Sequence, residues 1–261
     1  MKRVLTALLL VPTFLIVILW APPDPPQKWL FPAVAAIVGV LCFREYANIV
    51  ALHHIAKPGP FGYVAGLLLL LLPDKDPAFF VLIAILAMAL ALRSRDLTEA
   101  LPYAAALLLG VAYIFGSLRC GIALRAISPY WLFFALSLNW VGDIAALYVG
   151  RLMGRHRLAP HVSPAKSWEG SIGSLVASLA YGALYLPRWV PSVPLAAGLG
   201  LTAIANIAGQ FGDLCESALK RGAEIKDSGT LLPGHGGWLD RVDSSLFAMP
   251  VVYFLVSNFR W

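Results

Sequence analysis

Residues 213–244 read DLCESALKRGAEIKDSGTLLPGHGGWLDRVDS. Of the chain's 20 Lys and Arg and 14 Asp and Glu, ten fall within these 32 positions. Almost everything on either side is apolar. A charge at the centre of a membrane helix costs about 2.5–3.5 kcal/mol on insertion scales. A charged segment between two apolar runs therefore reads as the end of one transmembrane helix, a loop, and the start of the next. It also combines carboxylates that suit a metal, cations that suit phosphate, and glycines that let backbone approach a ligand closely.

Composition agrees with that reading of the fold. The chain has 261 residues, 59% of them hydrophobic and 13% charged, with a mean hydropathy of +0.76. A soluble domain carries about 25% charged residues. The chain reads as an all-α polytopic membrane protein. Its net charge of +6 is explained by Lys and Arg retained on cytoplasmic loops beside anionic lipid, without nucleic acid as a partner. Cys42, Cys120 and Cys215 are scattered and form no CxxC pair, which argues against a disulfide framework or a zinc site. The start, MKRVLTALLLVPTFLIVILWAPP, is basic and then apolar but lacks a small-x-small cleavage site, and reads as a retained first span.

Apolar runs predict about nine spans, near 4–21, 29–51, 61–73, 77–92, 101–118, 129–152, 168–187, 194–220 and 243–260. With the N-terminus in the cytoplasm, 13 Lys and Arg fall inside and 6 outside, the latter including Arg119 and Arg125, while Arg44 lies within a span. Loops 151–168 and 221–242 then face the cytoplasm, where nucleotides are. Residues 1–125 form a region of spans and short turns, structural, lipid-facing or dimerising in role. Residues 126–261 form the catalytic region.

Asp213, Ser217 and Lys220 recur at helical spacing and share one face. Asp240, Asp243 and Ser244 open the last span. Acids and serines there are ordinary helix caps, but capping does not account for two acids flanking Arg241 directly after GHGG (234–237). Alone, GHGG and His235 are weak signals. Between KRGAEIKD and DRVD they suggest a phosphate-binding loop. The loop after the sixth span, GRLMGRHRLAPHVSPAKSWEG, carries Arg151, Arg155, His156, Arg157, Lys166 and Glu169. Its cations suit phosphate or lipid headgroups, or merely the positive-inside rule. Ser163–Pro164 and Ser167–Glu169 read as turn and helix-start residues. Asp213 and Asp240, as hard oxygen ligands, favour Mg²⁺ bridging a triphosphate. Neither a Walker A motif nor a GxGxxG fingerprint is present.

The run Ser217–Asp243 (SALKRGAEIKDSGTLLPGHGGWLDRVD) resembles the signature of the phosphatidate cytidylyltransferases, the CDP-diacylglycerol synthases. Their pattern is matched by Ser217, Lys220, Arg221, Lys226, Asp227, Pro233, His235, Gly236, Gly237, Asp240, Arg241 and Asp243. SPAKSWEG (163–170) is similar to the family's SPKKTWEG, with Ala165 standing where the family has its first Lys. The resemblance implies transfer of CMP from CTP to phosphatidate, with Mg²⁺ at Asp213 and Asp240, Asp243 as a supporting ligand, and a second cation (K⁺ or Mg²⁺) nearby. It implies phosphate contacts from Lys220, Arg221, Lys226 and Arg241. Substrate contacts are expected from Lys166, Ser217, Asp227, His235, Gly236 and Gly237. It further implies a homodimer among membrane lipids in a bacterial-type inner (plasma) membrane, with its active site toward the cytoplasm. Two alternatives share parts of the pattern: an archaeal-type enzyme acting on an ether lipid, and an ion-coupled transporter using Asp143, Asp213 and Asp240 as coupling acids.

Overall fold

The computed structural model describes residues 16–19, 29–71, 77–93, 96–232, 234 and 236–259. The long helices are α1 (Leu30–Leu52), α2 (Gly59–Leu71), α3 (Pro77–Ala91), α4 (Ala100–Gly110), α5 (Ser117–Ile127), α6 (Pro129–Met153), α7 (Trp168–Trp189), α8 (Leu195–Gly222) and α9 (Leu239–Asn258). A π-helical turn, Val111–Gly116, joins α4 to α5, so that Leu97–Ile127 runs as one helical stretch. Among the described residues, four stretches are long and apolar enough to cross a membrane: Leu30–Leu52, Leu97–Ile127, Pro129–Met153 and Leu195–Gly222. Gly59–Leu71 and Ala78–Ala91 are shorter apolar helices. The first expected span, 4–21, falls largely outside the described residues.

Two features depart from the expectations. The fifth span does not end at 118, because the helix continues to Ile127 and carries both Arg119 and Arg125. Their charge is tolerated because each guanidinium reaches a main-chain carbonyl: Arg119 Nη1 donates to Leu70 O (3.1 Å) and Arg125 Nε to Ile18 O (3.0 Å). Leu70 lies in the last turn of α2, where carbonyls have no partner within the helix. The second departure is a small antiparallel hairpin, β1 (Arg157–Ala159) with β2 (Ser163–Ser167), inside an otherwise helical chain. Ser163 and Pro164 thus lie in a strand rather than a turn, whereas Ser167 does start a helix, its hydroxyl accepting from Gly170 N–H (3.1 Å).

The chain divides into two compact units. Among the described residues, one comprises those of Ala21–Arg119 with Gly222–Arg241. The other comprises those of Phe14–Trp20 with Cys120–Arg221 and Val242–Trp261. The first packs around aromatic rings. Phe43 meets Tyr63 edge-on at 4.9 Å and Phe115 at 5.5 Å between centroids. Tyr46, also buried, donates its hydroxyl to Ala106 O (2.8 Å). Gly66 in α2 lies so close to the ring of Phe115 that a Cβ there would overlap it.

In the second unit α6 and α7 run antiparallel. Gly150 faces Gly170, Ser137 bonds Tyr181 (2.5 Å), and Tyr185 donates to Tyr130 O (2.9 Å). Small residues let membrane helices approach closely where lipid supplies no hydrophobic drive. A Cβ on Gly170 would stand 2.9 Å from Ala146 O.

Gly66→Leu drives a side chain into the fully buried Phe115 ring. It is expected to destabilise the protein by about 1–3 kcal/mol, read as a lower melting temperature of the detergent-solubilised chain.

Candidate active site

The sequence-designated residues fall into two groups, one in each unit. In the second unit they stand along one face of α8. From its N-terminal half onward, α8 meets α7 through an antiparallel polar ladder. Asn206 Nδ2 donates to Ser174 Oγ (3.0 Å) and Ser178 Oγ (2.9 Å). Gln210 Nε2 donates to Asn206 Oδ1 (2.7 Å), and its Oε1 accepts from Ser171 Oγ (2.5 Å). The next rung is charged: Lys166 Nζ, on β2, pairs with Asp213 Oδ2 at 2.6 Å. Ser217 Oγ, one turn on, donates to Asp213 Oδ1 (3.2 Å). Lys220 completes the face, pairing at 2.5 Å with the fully buried Glu216. Asn206, Gln210, Asp213, Ser217 and Lys220 thus form a stripe that grows from neutral to charged along the helix.

The hairpin that carries Lys166 is fastened at both ends. Glu169, in the first turn of α7, accepts from the backbone N–H groups of Arg155 (3.1 Å) and His156 (3.3 Å) and bonds His156 Nδ1 (2.6 Å). At the far end, Arg221 Nε donates to Val162 O (3.3 Å). Asp243, in α9, lies within electrostatic reach of Asp213, Lys220 and Asp143.

In the first unit, residues 222–241 wrap a cavity of about 550 Å³ lined by Lys226, Asp227, Thr230, Gly234, Gly236 and Arg241, among others. This lies within the roughly 300–1,000 Å³ range of small-ligand pockets. Leu232 N–H donates to Gly236 O (3.0 Å), closing a tight turn. Gly234 (φ +78°) and Gly236 (φ +79°) adopt left-handed backbone there, which glycine alone enters without strain. His235 and Pro233 lie outside the described residues. Asp240 Oδ2 accepts from Gly237 N–H (2.8 Å) and Ser228 N–H (2.9 Å) and lies 3.0 Å from Ser228 Oγ, whose one hydroxyl hydrogen it shares with Glu45. The Gly237 amide is thereby committed within the loop.

Sequence reading missed Glu45. It sits in the apolar helix α1 at 3% exposure, where its carboxylate accepts from Ser228, Trp238 and Leu239. It is the single acid between 29 and 51, inside an expected span, and its partners lie far away in sequence. The adjacent Arg44 is exposed. Sequence reading missed Glu216 as well, fully buried and paired with Lys220.

Among the described residues, no three metal-type side chains converge as a closed cage. That does not disfavour Mg²⁺, which binds through one or two carboxylates and completes its shell with water and substrate phosphates. The donors fit that mode. Asp213 already holds a cation, the Lys166 ammonium, and Asp243 adds a second carboxylate within its field.

Apolar helices long enough to cross a membrane, with charge confined to a helix face and a glycine-turned loop, mark an integral membrane protein. A family model described as the cytidylyltransferase family matches residues 1–259, and the chain belongs to that family. It is 31% identical over 277 residues to the phosphatidate cytidylyltransferase of Bacillus subtilis, covering 99% of this chain and 98% of the relative. It is 34% identical over 229 residues to the one from Staphylococcus haemolyticus and 33% over 231 residues to the one from Staphylococcus aureus, each covering 85% of this chain and 88% of the relative.

Asn206→Leu deletes two donors and one acceptor from the ladder at one stroke. The expected cost is about 1–3 kcal/mol, from two interhelical hydrogen bonds at roughly 0.6–1.7 kcal/mol each. Reversible unfolding in mixed micelles, compared with wild type, measures it.

Proposed function

We propose that this protein is a phosphatidate cytidylyltransferase: CTP and phosphatidate give CDP-diacylglycerol and pyrophosphate. The observation that carries the reading is a coincidence of two facts. The family match spans nearly the whole chain, and the segment bearing the family's signature folds around a cavity with Lys226 and Arg241 in its wall. A phosphate oxygen of the lipid attacks the α-phosphorus of CTP. The bond from that phosphorus to the bridging oxygen breaks, and pyrophosphate leaves with the electron pair. The nucleophile is already anionic near neutral pH, so the protein has little proton transfer to perform. Its contribution is positioning and charge stabilisation.

The residues take roles accordingly. Lys226 and Arg241, with Lys220 and Arg221, neutralise phosphate charge, while Gly236 supplies turning backbone in the cavity wall and Gly237 beside it holds Asp240. Lys166, Ser217 and His235 orient phosphate groups, and Asp227 orders the loop between Lys226 and Ser228. Asp213, Asp240 and Asp243 are the oxygen ligands that would hold Mg²⁺, with K⁺ or a second Mg²⁺ as a further cation. Such an ion, when bound, offsets the charge that builds on the triphosphate. Lys166 pairs with Asp213, one of the carboxylates that would hold the ion.

The proposal extends to topology. About nine spans, a cytoplasmic N-terminus and loops 151–168 and 221–242 facing the cytoplasm of a bacterial-type inner membrane follow the distribution of Lys and Arg. They would let a water-soluble triphosphate meet a lipid phosphate at the inner leaflet. A homodimer is part of the same reading.

Purified protein in detergent with phosphatidate and radiolabelled CTP is expected to label lipid in the presence of Mg²⁺ and to stop on chelation. Asp213→Asn and Asp240→Asn should each lower turnover at least about 100-fold while eluting as folded protein. No lipid labelling by wild type would refute the assignment. Near-normal activity of either variant at saturating Mg²⁺ would refute the metal roles.

A further inference from the structure

Glu45 is a buried carboxylate that the reaction described above does not use. Its side chain leaves α1 and ends among residues more than 180 positions later in sequence. Oε1 accepts from Trp238 N–H (3.1 Å). Oε2 accepts from Leu239 N–H (2.9 Å) and Ser228 Oγ (2.9 Å). Trp238 and Leu239 begin α9, so Glu45 supplies from another helix the anion that a helix N-terminus favours. Space has been cleared for it on both sides. A Cβ on Gly229 would stand 2.6 Å from Glu45 Oε1, and one on Gly237 would overlap Oε2. Ser228 is the link to the proposed metal ligand, since its hydroxyl lies 2.9 Å from Glu45 Oε2 and 3.0 Å from Asp240 Oδ2.

We infer that Glu45 is a positioning residue for cytidylyl transfer: it clamps Ser228 and the start of α9, and through them fixes the carboxylate of Asp240 beside the Lys226–Arg241 cavity. The inference rests on the proposed role of Asp240, but the clamp itself can be observed without any substrate. Apolar packing alone does not explain an acid here, because Leu or Met would fill the volume without three buried donors to satisfy. Glutamine is nearly isosteric, yet it retains one acceptor oxygen and turns an N–H₂ toward those donors.

Hydrogen–deuterium exchange on the full chain in detergent tests the clamp. Glu45→Gln is expected to speed exchange over 228–240 while leaving α1–α4 at wild-type protection and the melting temperature close to wild type. Gly229→Ala, which pushes on the same carboxylate from the other side, should reproduce this pattern, and the double variant should be no worse than the more affected single one. In the lipid-labelling assay each should lower kcat about 10–100-fold with KM for phosphatidate unchanged. Wild-type exchange and kcat in Glu45→Gln would overturn the inference. So would additive effects in the double variant, or faster exchange throughout α1–α4, which marks a plain core residue. If wild type labels no lipid, the functional assignment fails, and the exchange data still decide whether Glu45 is a clamp.

Discussion

A carboxylate buried in an apolar helix cannot be left alone, because its desolvation costs more than any packing around it returns. Glu45 meets this constraint by drawing three donors out of residues 228–239. The arrangement of residues 222–241 follows from that demand. The segment contributes few large apolar side chains, with Leu232 and Leu239 the main buried ones. Hydrophobic burial alone holds such a loop weakly. Hydrogen bonds to an ionisable group contribute about 1.5–3 kcal/mol each, so the polar anchor is what converts a glycine-rich turn into a fixed cavity wall. The glycines have a structural meaning of their own, since Gly229 and Gly237 leave room for Glu45, and Gly236 for Asp240.

The second unit meets the same constraint differently. Between α7 and α8, serine, asparagine and glutamine satisfy one another across the helix pair, and the series ends in the Lys166–Asp213 and Glu216–Lys220 ion pairs. The neutral rungs fix the register of α8 against α7. That register in turn sets where Asp213 stands relative to β2. A slip of one helical turn would part Lys166 from Asp213 and Gln210 from Ser171 together, so the charged end inherits its geometry from the uncharged part of the ladder.

This division explains what the sequence made legible. Helix positions were readable because apolar run length and Pro129 at the start of α6 are local signals, and α6 at 129–153 and α8 at 195–222 lie within two residues of expectation. The motif residues were readable because they are crowded into two polar segments. The continuation of the fifth span to Ile127 was hidden because Arg119 and Arg125 look like loop residues until each finds a carbonyl on another segment. The hairpin at 157–167 was hidden because Ser163–Pro164 carries a turn signature and its pairing depends on Glu169 holding the Arg155 and His156 amides. Glu45 was hidden because its partners are distant in sequence, and an alternation rule for helices assigns a face but not an occupant.

The shared hydroxyl of Ser228 carries the argument one step further. It has a single hydrogen and two carboxylate oxygens within reach, Glu45 Oε2 and Asp240 Oδ2. It cannot donate fully to both. Asp240 Oδ2 retains the N–H groups of Ser228 and Gly237 whichever way the hydroxyl turns. The two acids are therefore coupled through one rotor, and α1 is tied through it to the side chain of Asp240.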